Sequence, residues 1–264
     1  MRAITTDTRS GLLNEQFIPD HVFMYIVKGS VCFFDGNQTH TFTEGECGIA
    51  RKNRLIKFVL PDRDAPFEPV IFCFDTPFLQ QFQEKHKLPR PAAPKTDEAL
   101  IRLPETSLAD DFIRSLKPYQ RGVMELDEAF ENLKYEELLV ILLKTAPDLA
   151  SILFDYDMPE KVNLEAFMHR NFRFNVPIDR FAYLTGRSLS AFKRDFKAIF
   201  HEAPNRWLIR KRLQEAYVLI GQHKRKPSDL YLELGFETHS HFSFSFRKQF
   251  GITPTELAER ERQT

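Results

Sequence analysis

The sequence predicts a two-domain α+β chain. Residues 1–158 form an N-terminal cupin-like β-barrel with accessory helices, and residues 159–264 an all-α double helix-turn-helix. Three observations carry this. An aromatic ladder, Phe192, Phe196 and Phe200, recurs as Phe242, Phe246 and Phe250, fifty residues later. Short β-rich runs separated by Gly and Asp turns fill the first third of the chain. Charge is also unevenly divided: residues 1–159 carry 18 Lys+Arg against 25 Asp+Glu, a net of −7, whereas residues 160–264 carry 19 against 12, a net of +7. An acidic half joined to a basic half makes a polyanion the partner of the second half alone.

The β-region begins near residue 17. Val22, Phe23, Met24, Tyr25, Ile26 and Val27 form a β-rich run ended by Lys28-Gly29. A second run, Val31-Cys32-Phe33-Phe34, stops at Asp35-Gly36-Asn37, a hairpin signal. Thr39, Thr41 and Thr43 then alternate with His40 and Phe42 as far as Glu44-Gly45-Glu46, and runs at 56–60 and 70–74 flank a turn-rich segment at 61–69. Strands at this pitch suit a small jelly roll or cupin-like barrel, and a plain sandwich fits the same pattern. A helix is expected at 78–87, a loop at 88–94 where three prolines prevent continuation, and helices at Ser107–Leu116 and 124–143. The last places Leu126, Phe130, Leu133, Leu138, Ile141 and Leu142 on a broad apolar stripe. Its run 138–143 is apolar all round, so it is buried against the barrel or against a second copy of the chain, which makes 124–143 the candidate homodimer element. The polar stretch 155–159 serves as the linker.

Beyond residue 160 nearly everything is helical by pattern. A helix at 164–172 precedes the first unit, whose two helices are Ile178–Leu184 and Leu189–Phe200. Between them Gly186-Arg187-Ser188 supplies a glycine for the tight turn and a hydroxyl to cap the second helix. Pro204 opens a connecting helix that runs to Gly221 with Trp207, Leu208, Leu213, Ala216, Tyr217 and Ile220 on one face. After the basic loop Lys224-Arg225-Lys226-Pro227, the second unit repeats the first: a helix at 229–234, the turn Gly235-Phe236-Glu237-Thr238, and a helix at His239–Phe250. A short helix at 255–261 closes the chain.

Other chemistries find no purchase. Cys32, Cys47 and Cys73 stand singly with no CxxC pair, which fits a reducing, cytoplasmic compartment. The start of the chain lacks a basic-then-apolar leader, and no apolar run approaches the roughly 20 residues of a membrane span, so no membrane partner is expected. His21 and His40 stand alone rather than in a His-x-His set, and no catalytic triad, Walker loop or dinucleotide fingerprint is present, so neither an enzyme nor a cofactor is expected. The two histidines His239 and His241 lack further ligands for a metal. The competing class is a small-molecule-binding or catalytic cupin whose helical tail contacts proteins.

The C-terminal hundred positions resemble the AraC/XylS class of bacterial transcription regulators. The likeness runs through Ile178, Ala182, Gly186, Ser188, Phe192, Arg194, Phe196 and Lys197, then Pro204, Trp207, Leu208, Arg212, Leu213 and Ala216. It ends with Gly235-Phe236, Phe242, Phe246-Arg247-Lys248, Phe250-Gly251 and Thr253-Pro254. The N-terminal region is more weakly similar to the sensor or dimerisation domains of that class, and residues 132–139 resemble a segment of its virulence regulators.

The resemblance implies a DNA-binding regulator, expected to be an activator, whose helices 189–200 and 239–250 enter successive major grooves on one face of a duplex. It implies Ser190, Lys193 and Arg194 at base edges, with Arg187 and Lys197 beside them; Arg194 has pairing with Asp195 as its alternative. In the second unit the candidates are His239, Ser240, His241 and Ser243, with Arg247 and Lys248 as phosphate clamps. Arg206, Arg210, Lys211 and the 224–226 loop are further phosphate candidates, while Arg212 matches a structural position. Expected partners are double-stranded DNA and RNA polymerase, with a small-molecule effector or a protein antagonist left open. Two departures stand out: Tyr231 where the class has a small residue, and Phe244 where it often has arginine.

Overall fold

The six residues from Val22 to Val27 are apolar on both faces of an extended chain, so the strand that contains them, His21–Lys28, has to be covered twice. The computed structural model describes residues 16–61, 65–89, 91–92, 96–119 and 128–263. It divides the chain into two compact units, Met1–Asp157 and Met158–Thr264. The first unit contains β1 (Phe17–Ile18), β2 (His21–Lys28), β3 (Ser30–Phe34), β4 (Thr39–Thr43), β5 (Cys47–Ala50), β6 (Arg54–Leu55), β7 (Lys57–Val59), β8 (Glu68–Phe74) and β9 (Leu100–Arg102). Its helices are α1 (Thr76–Lys85), α2 (Ser107–Leu116), α3 (Glu128–Thr145) and α4 (Ala150–Leu153).

The strands make a four-stranded sheet in the order β8-β2-β5-β9, a three-stranded sheet β4-β3-β7, and the small pair β1-β6. Pairing is antiparallel throughout. Among the described residues no ladder joins the larger sheets into a closed ring. The arrangement is sheet-rich and two-layered, with a third layer of helices. Alternation along β2 fills both interfaces: Val22, Met24 and Ile26 meet Val31, Phe33, Phe42 and Phe58 of the smaller sheet, while Phe23 and Tyr25 turn toward α1, α2 and α3. The hairpin turn falls at Asp35-Gly36-Asn37, where the Asp35 carboxylate accepts from the N–H groups of Asn37 and Gln38, both at 2.8 Å. Burial opposes the charge there, but these bonds and His40 outweigh it and hold the Asp35 carboxyl below its ordinary range.

Two strands of the four-stranded sheet escape the sequence pattern. β5 contains Gly48, whose bare α-carbon lets the Phe42 ring lie across the strand: an added Cβ would stand 2.9 Å from that ring and 2.8 Å from the Ile101 carbonyl oxygen. Its partner β9 is only three residues long.

The stripe on α3 also differs from expectation. Residues 124–127, Leu126 included, lie outside the described residues. The buried side is Tyr135, Leu138, Leu139 and Leu142, whereas Phe130, Leu133 and Val140 are 43%, 63% and 45% exposed. The physical reason is Tyr135, which is fully buried. Its ring meets Phe72, Phe74 and Phe78 edge-on at 4.8, 5.8 and 5.7 Å, and its hydroxyl accepts from Cys73 N–H at 3.4 Å. With that anchor, Leu138 and Leu142 of the expected stripe stay inward while Phe130 and Leu133 lie outside it.

His21 begins β2 and is buried. Its Nδ1 accepts from the Lys52 backbone N–H at 3.3 Å, and its Nε2 has no partner. Burial, reinforced by the charges of Lys52 and Arg51, lowers its pKa from 6.5 to about 3. The folded state therefore keeps the ring neutral while the unfolded chain binds a proton below pH 6.5, so stability present above 6.5 is lost as pH falls from there toward 3. At about 1.4 kcal/mol per pH unit, the loss by pH 5 is about 2 kcal/mol. Urea midpoints of the wild-type chain and of His21→Asn, measured at pH 7 and pH 5, should converge as the pH drops; parallel curves would contradict the assignment.

Candidate nucleic-acid interface

The second unit comprises α5 (Leu164–Asn171), α6 (Ile178–Leu184), α7 (Leu189–Phe200), α8 (Pro204–Gly221), α9 (Pro227–Glu233), α10 (His239–Phe250) and α11 (Pro254–Gln263). Two helix-turn-helix pairs, α6–α7 and α9–α10, are built by the same local chemistry. Each first helix ends in a left-handed glycine, Gly186 at φ 65° and Gly235 at φ 82°. Around the first, Gly186 N–H donates to Tyr183 and Arg187 N–H to Ala182; around the second, Gly235 donates to Leu232 and Phe236 to Tyr231. This is the Schellman stop, duplicated. Another stretch of backbone presses on each glycine. A Cβ on Gly186 would lie 2.5 Å from the Glu160 carbonyl carbon, and one on Gly235 would lie 2.7 Å from the Arg173 carbonyl oxygen. Each second helix is then started by a hydroxyl: Ser188 accepts from Ala191 N–H at 3.3 Å, and Thr238 from His241 N–H at 3.2 Å.

The two phenylalanine ladders face inward and both end on α8. Phe200 lies 4.3 Å from Phe196 and 4.6 Å from Trp207, ring to ring. Phe250 lies 4.7 Å from Phe246 and 4.9 Å from Tyr217. Trp207 and Tyr217 are separated by about 15 Å along the helix axis at 1.5 Å per residue, so α8 is the spacer that sets one pair from the other. Arg212, midway between them, is buried and donates to three carbonyls: Nε to Phe172 at 2.7 Å, one terminal nitrogen to Gly235 at 2.8 Å, the other to Phe174 at 2.7 Å. Burial lowers its pKa to about 10, which leaves it charged at neutrality. An ion pair between Arg173 and Glu215 and a 3.3 Å bond from Asn175 to Glu237 stitch the same connection to α8 and to the second turn.

With the ladders buried, the opposite faces of α7 and α10 are open. Ser190, Lys193, Arg194 and Lys197 are exposed on α7; His239, Ser240, His241, Arg247 and Lys248 are exposed on α10, and Ser243 is half-buried. Arg194 is 78% exposed and reaches Asp195 at 3.0 Å. The Arg194 guanidinium, with Arg187 behind it, holds the Asp195 carboxyl below its ordinary range.

Arg187 does not stand with the exposed set. Its side chain is 8% exposed, bonded to Asp195 at 3.2 Å and to the carbonyls of Thr185 and Val162 at 2.7 and 3.0 Å, so it braces the turn from inside. Much of the suggested phosphate track is likewise engaged: Arg210 pairs with Glu202, Lys224 with Glu261 and Arg225 with Glu233. Tyr231 turns to the rim, where its ring meets His239 edge-on at 5.7 Å, so the helix crossing accommodates it. Phe236 packs similarly on His241 at 5.6 Å. Among the described residues no group of three His, Cys, Asp or Glu could hold a metal ion, and no helix is long and apolar enough to cross a membrane.

The sequence is similar to known proteins over both units. Residues 21–152 match the ExsA N-terminal regulatory domain, and residues 181–260 match a helix-turn-helix domain. The chain is similar to the HTH-type transcriptional regulator ExsA of Pseudomonas aeruginosa, 24% identical over 235 residues, 87% of this chain and 83% of the relative. It is also similar to the virulence regulon transcriptional activator VirF of Yersinia enterocolitica, 30% identical over 128 residues, 47% of each chain. Among solved structures, ToxT of Vibrio cholerae aligns over 94% of this chain and 91% of its own, at 16% identity and a TM-score of 0.41. An AraC-type DNA-binding domain protein from Chromobacterium violaceum aligns over 38% of this chain and 89% of its own, at 29% identity and a TM-score of 0.34.

Replacing Arg212 with methionine would leave three buried carbonyls unpaired and should destabilise the C-terminal unit by about 3 kcal/mol or more. Arg212→Lys should recover little, because one ammonium cannot span a fork of three acceptors. Urea unfolding followed by Trp207 emission would measure both; wild-type stability in Arg212→Met would contradict the clamp.

Proposed function

The chain belongs to the AraC-type transcription regulators, with a regulatory domain of the ExsA kind, and from that premise we propose that it is an activator that recognises a specific DNA sequence through α7 and α10 in successive major grooves. The observation that carries this reading is the inward turn of both ladders, which leaves two acid-poor helix faces held apart on α8, as readers of successive grooves, roughly 34 Å apart along one side of B-DNA, have to be. Arg194 and Lys193 suit guanine O6 and N7; Ser190 and the hydroxyls and imidazoles of α10 lie where base edges or phosphates are reached. Lys197, Arg247 and Lys248 serve as phosphate contacts, which add affinity without sequence information. Arg187 acts at one remove, by fixing Asp195 and the turn.

The N-terminal unit, which the weaker likeness casts as cupin-like, serves here for self-association or control by another protein. Between its sheets lies an apolar cavity of about 10 Å³ lined by Val22, Met24, Phe33, Phe42 and Phe58, among others, the size of a single water. Such a core supports a small-molecule effector poorly. The exposed Leu133 and Val140, seven residues apart on α3, form one face suited to a second copy of the chain. Contact with RNA polymerase follows from the activator role, as virulence gene control follows from the similarity to VirF.

Gel shifts with the full chain should show tight binding that falls by about 10³–10⁵ between 50 and 200 mM salt if six to ten phosphates are neutralised. Arg194→Ala should relax sequence preference, costing about 1–3 kcal/mol at one base position, while Lys248→Ala should weaken every sequence alike. An Arg194→Ala protein with unchanged preference would refute the assigned reading face. For α3, Leu133→Glu should convert a dimer to a monomer by mass in solution; an unchanged mass for that variant would exclude this face.

A further inference from the structure

The two exposed helix faces carry different chemistry. On α7 the open side has three cations, Lys193, Arg194 and Lys197. The sequence of α10, HSHFSFSFRKQF, has no acid anywhere and no lysine or arginine before Arg247, near its C-terminal end. In the middle of its open side stands Phe244, 69% exposed, the most exposed of the large apolar residues in the chain's described part. Among the described residues no aromatic ring stacks on it. Its neighbours one turn back are Ser240 and His241, and one turn ahead Arg247 and Lys248, all exposed. A bare phenyl ring rimmed by hydroxyl, imidazole and two cations is poorly suited to water. The ring offers no hydrogen bond, so its natural occupant is an apolar group presented by a polyanion.

We propose that Phe244 is a specificity-determining residue that packs against the 5-methyl group of thymine, so that the second unit selects A·T pairs while the first selects guanine. This rests on the reading of α10 as a major-groove helix. The thymine methyl is the one apolar group that the major-groove edge of DNA displays, and apolar side chains recognise it by contact. Arg247 and Lys248, one turn toward the helix C-terminus, hold the backbone phosphates and so press the ring against the groove floor. The polar atoms around the ring, Ser240 Oγ and the His241 ring, complete the pair by bonding adenine N6 or N7. A phenylalanine at this position therefore replaces a charged, donor-based preference with a contact-based one.

The test uses the full chain and a duplex enriched by it from a random-sequence library. Each thymine under the second half-site is replaced in turn by deoxyuridine, which removes only the methyl. Wild type should lose about tenfold in affinity at one or two positions, the cost of a missing methyl in an apolar contact. Phe244→Ala should lose about as much on the unmodified duplex and nothing further on the deoxyuridine duplex, so that the two changes fail to add. Additive losses, or a Phe244→Ala protein that binds the unmodified duplex like wild type, would overturn the proposal. Lys248→Ala separates the two levels of failure. If it weakens binding while the methyl swap has no effect, α10 meets DNA and the methyl contact is wrong. If neither matters, the groove reading of α10 falls with it.

Discussion

Arg212 is the residue on which the C-terminal unit depends. It grows from the connecting helix and closes its fork on Phe172, Phe174 and Gly235, so one side chain ties the approach to the first helix-turn-helix to the turn of the second. Its positive charge survives burial because three carbonyl dipoles replace the water it has lost. Around it the geometry is overdetermined. Gly235 admits the Arg173 carbonyl at a distance that no β-carbon allows, and Glu215 and Glu237 fasten the same short connection from either side. Spacing between the second helices of the two units, α7 and α10, is thus a property of α8 and this clamp together.

Much of this was legible in the chain. The doubled ladder, the two glycines and the hydroxyl caps lie within a few residues of one another, and local chemistry of that kind survives translation into structure almost unchanged. The helix at Ser107–Leu116 and the pair at Ile178–Leu184 and Leu189–Phe200 fall where the pattern puts them. What escaped was set by distance along the chain. Arg212 meets partners 40, 38 and 23 residues away, and nothing near it announces them. Arg187 looks from its neighbours like one more surface cation, yet the Val162 carbonyl, 25 residues upstream, draws it inward. The buried side of α3 includes Tyr135, a residue whose hydroxyl disguises it among core formers until Phe72, Phe74 and Phe78 are seen to enclose the ring.

The N-terminal unit shows the opposite balance. Its central sheet is covered on both sides, by the smaller sheet and by helices. Short strands such as β5 and β9 carry no alternation of their own: β5 exists because β2 offers it an edge, and β9 because β5 does.

Trp207 is the only tryptophan in the 264 residues, and it is buried against Phe196 and Phe200 at the foot of the first ladder. Its counterpart at the second ladder is Tyr217, with a different absorption and quantum yield. Excitation at the red edge of the near-ultraviolet therefore isolates one indole, and the chain carries its own optical label for one half of a duplicated domain. Melting, quenching and anisotropy can be followed in that half while its twin stays dark, with no dye and no engineered residue.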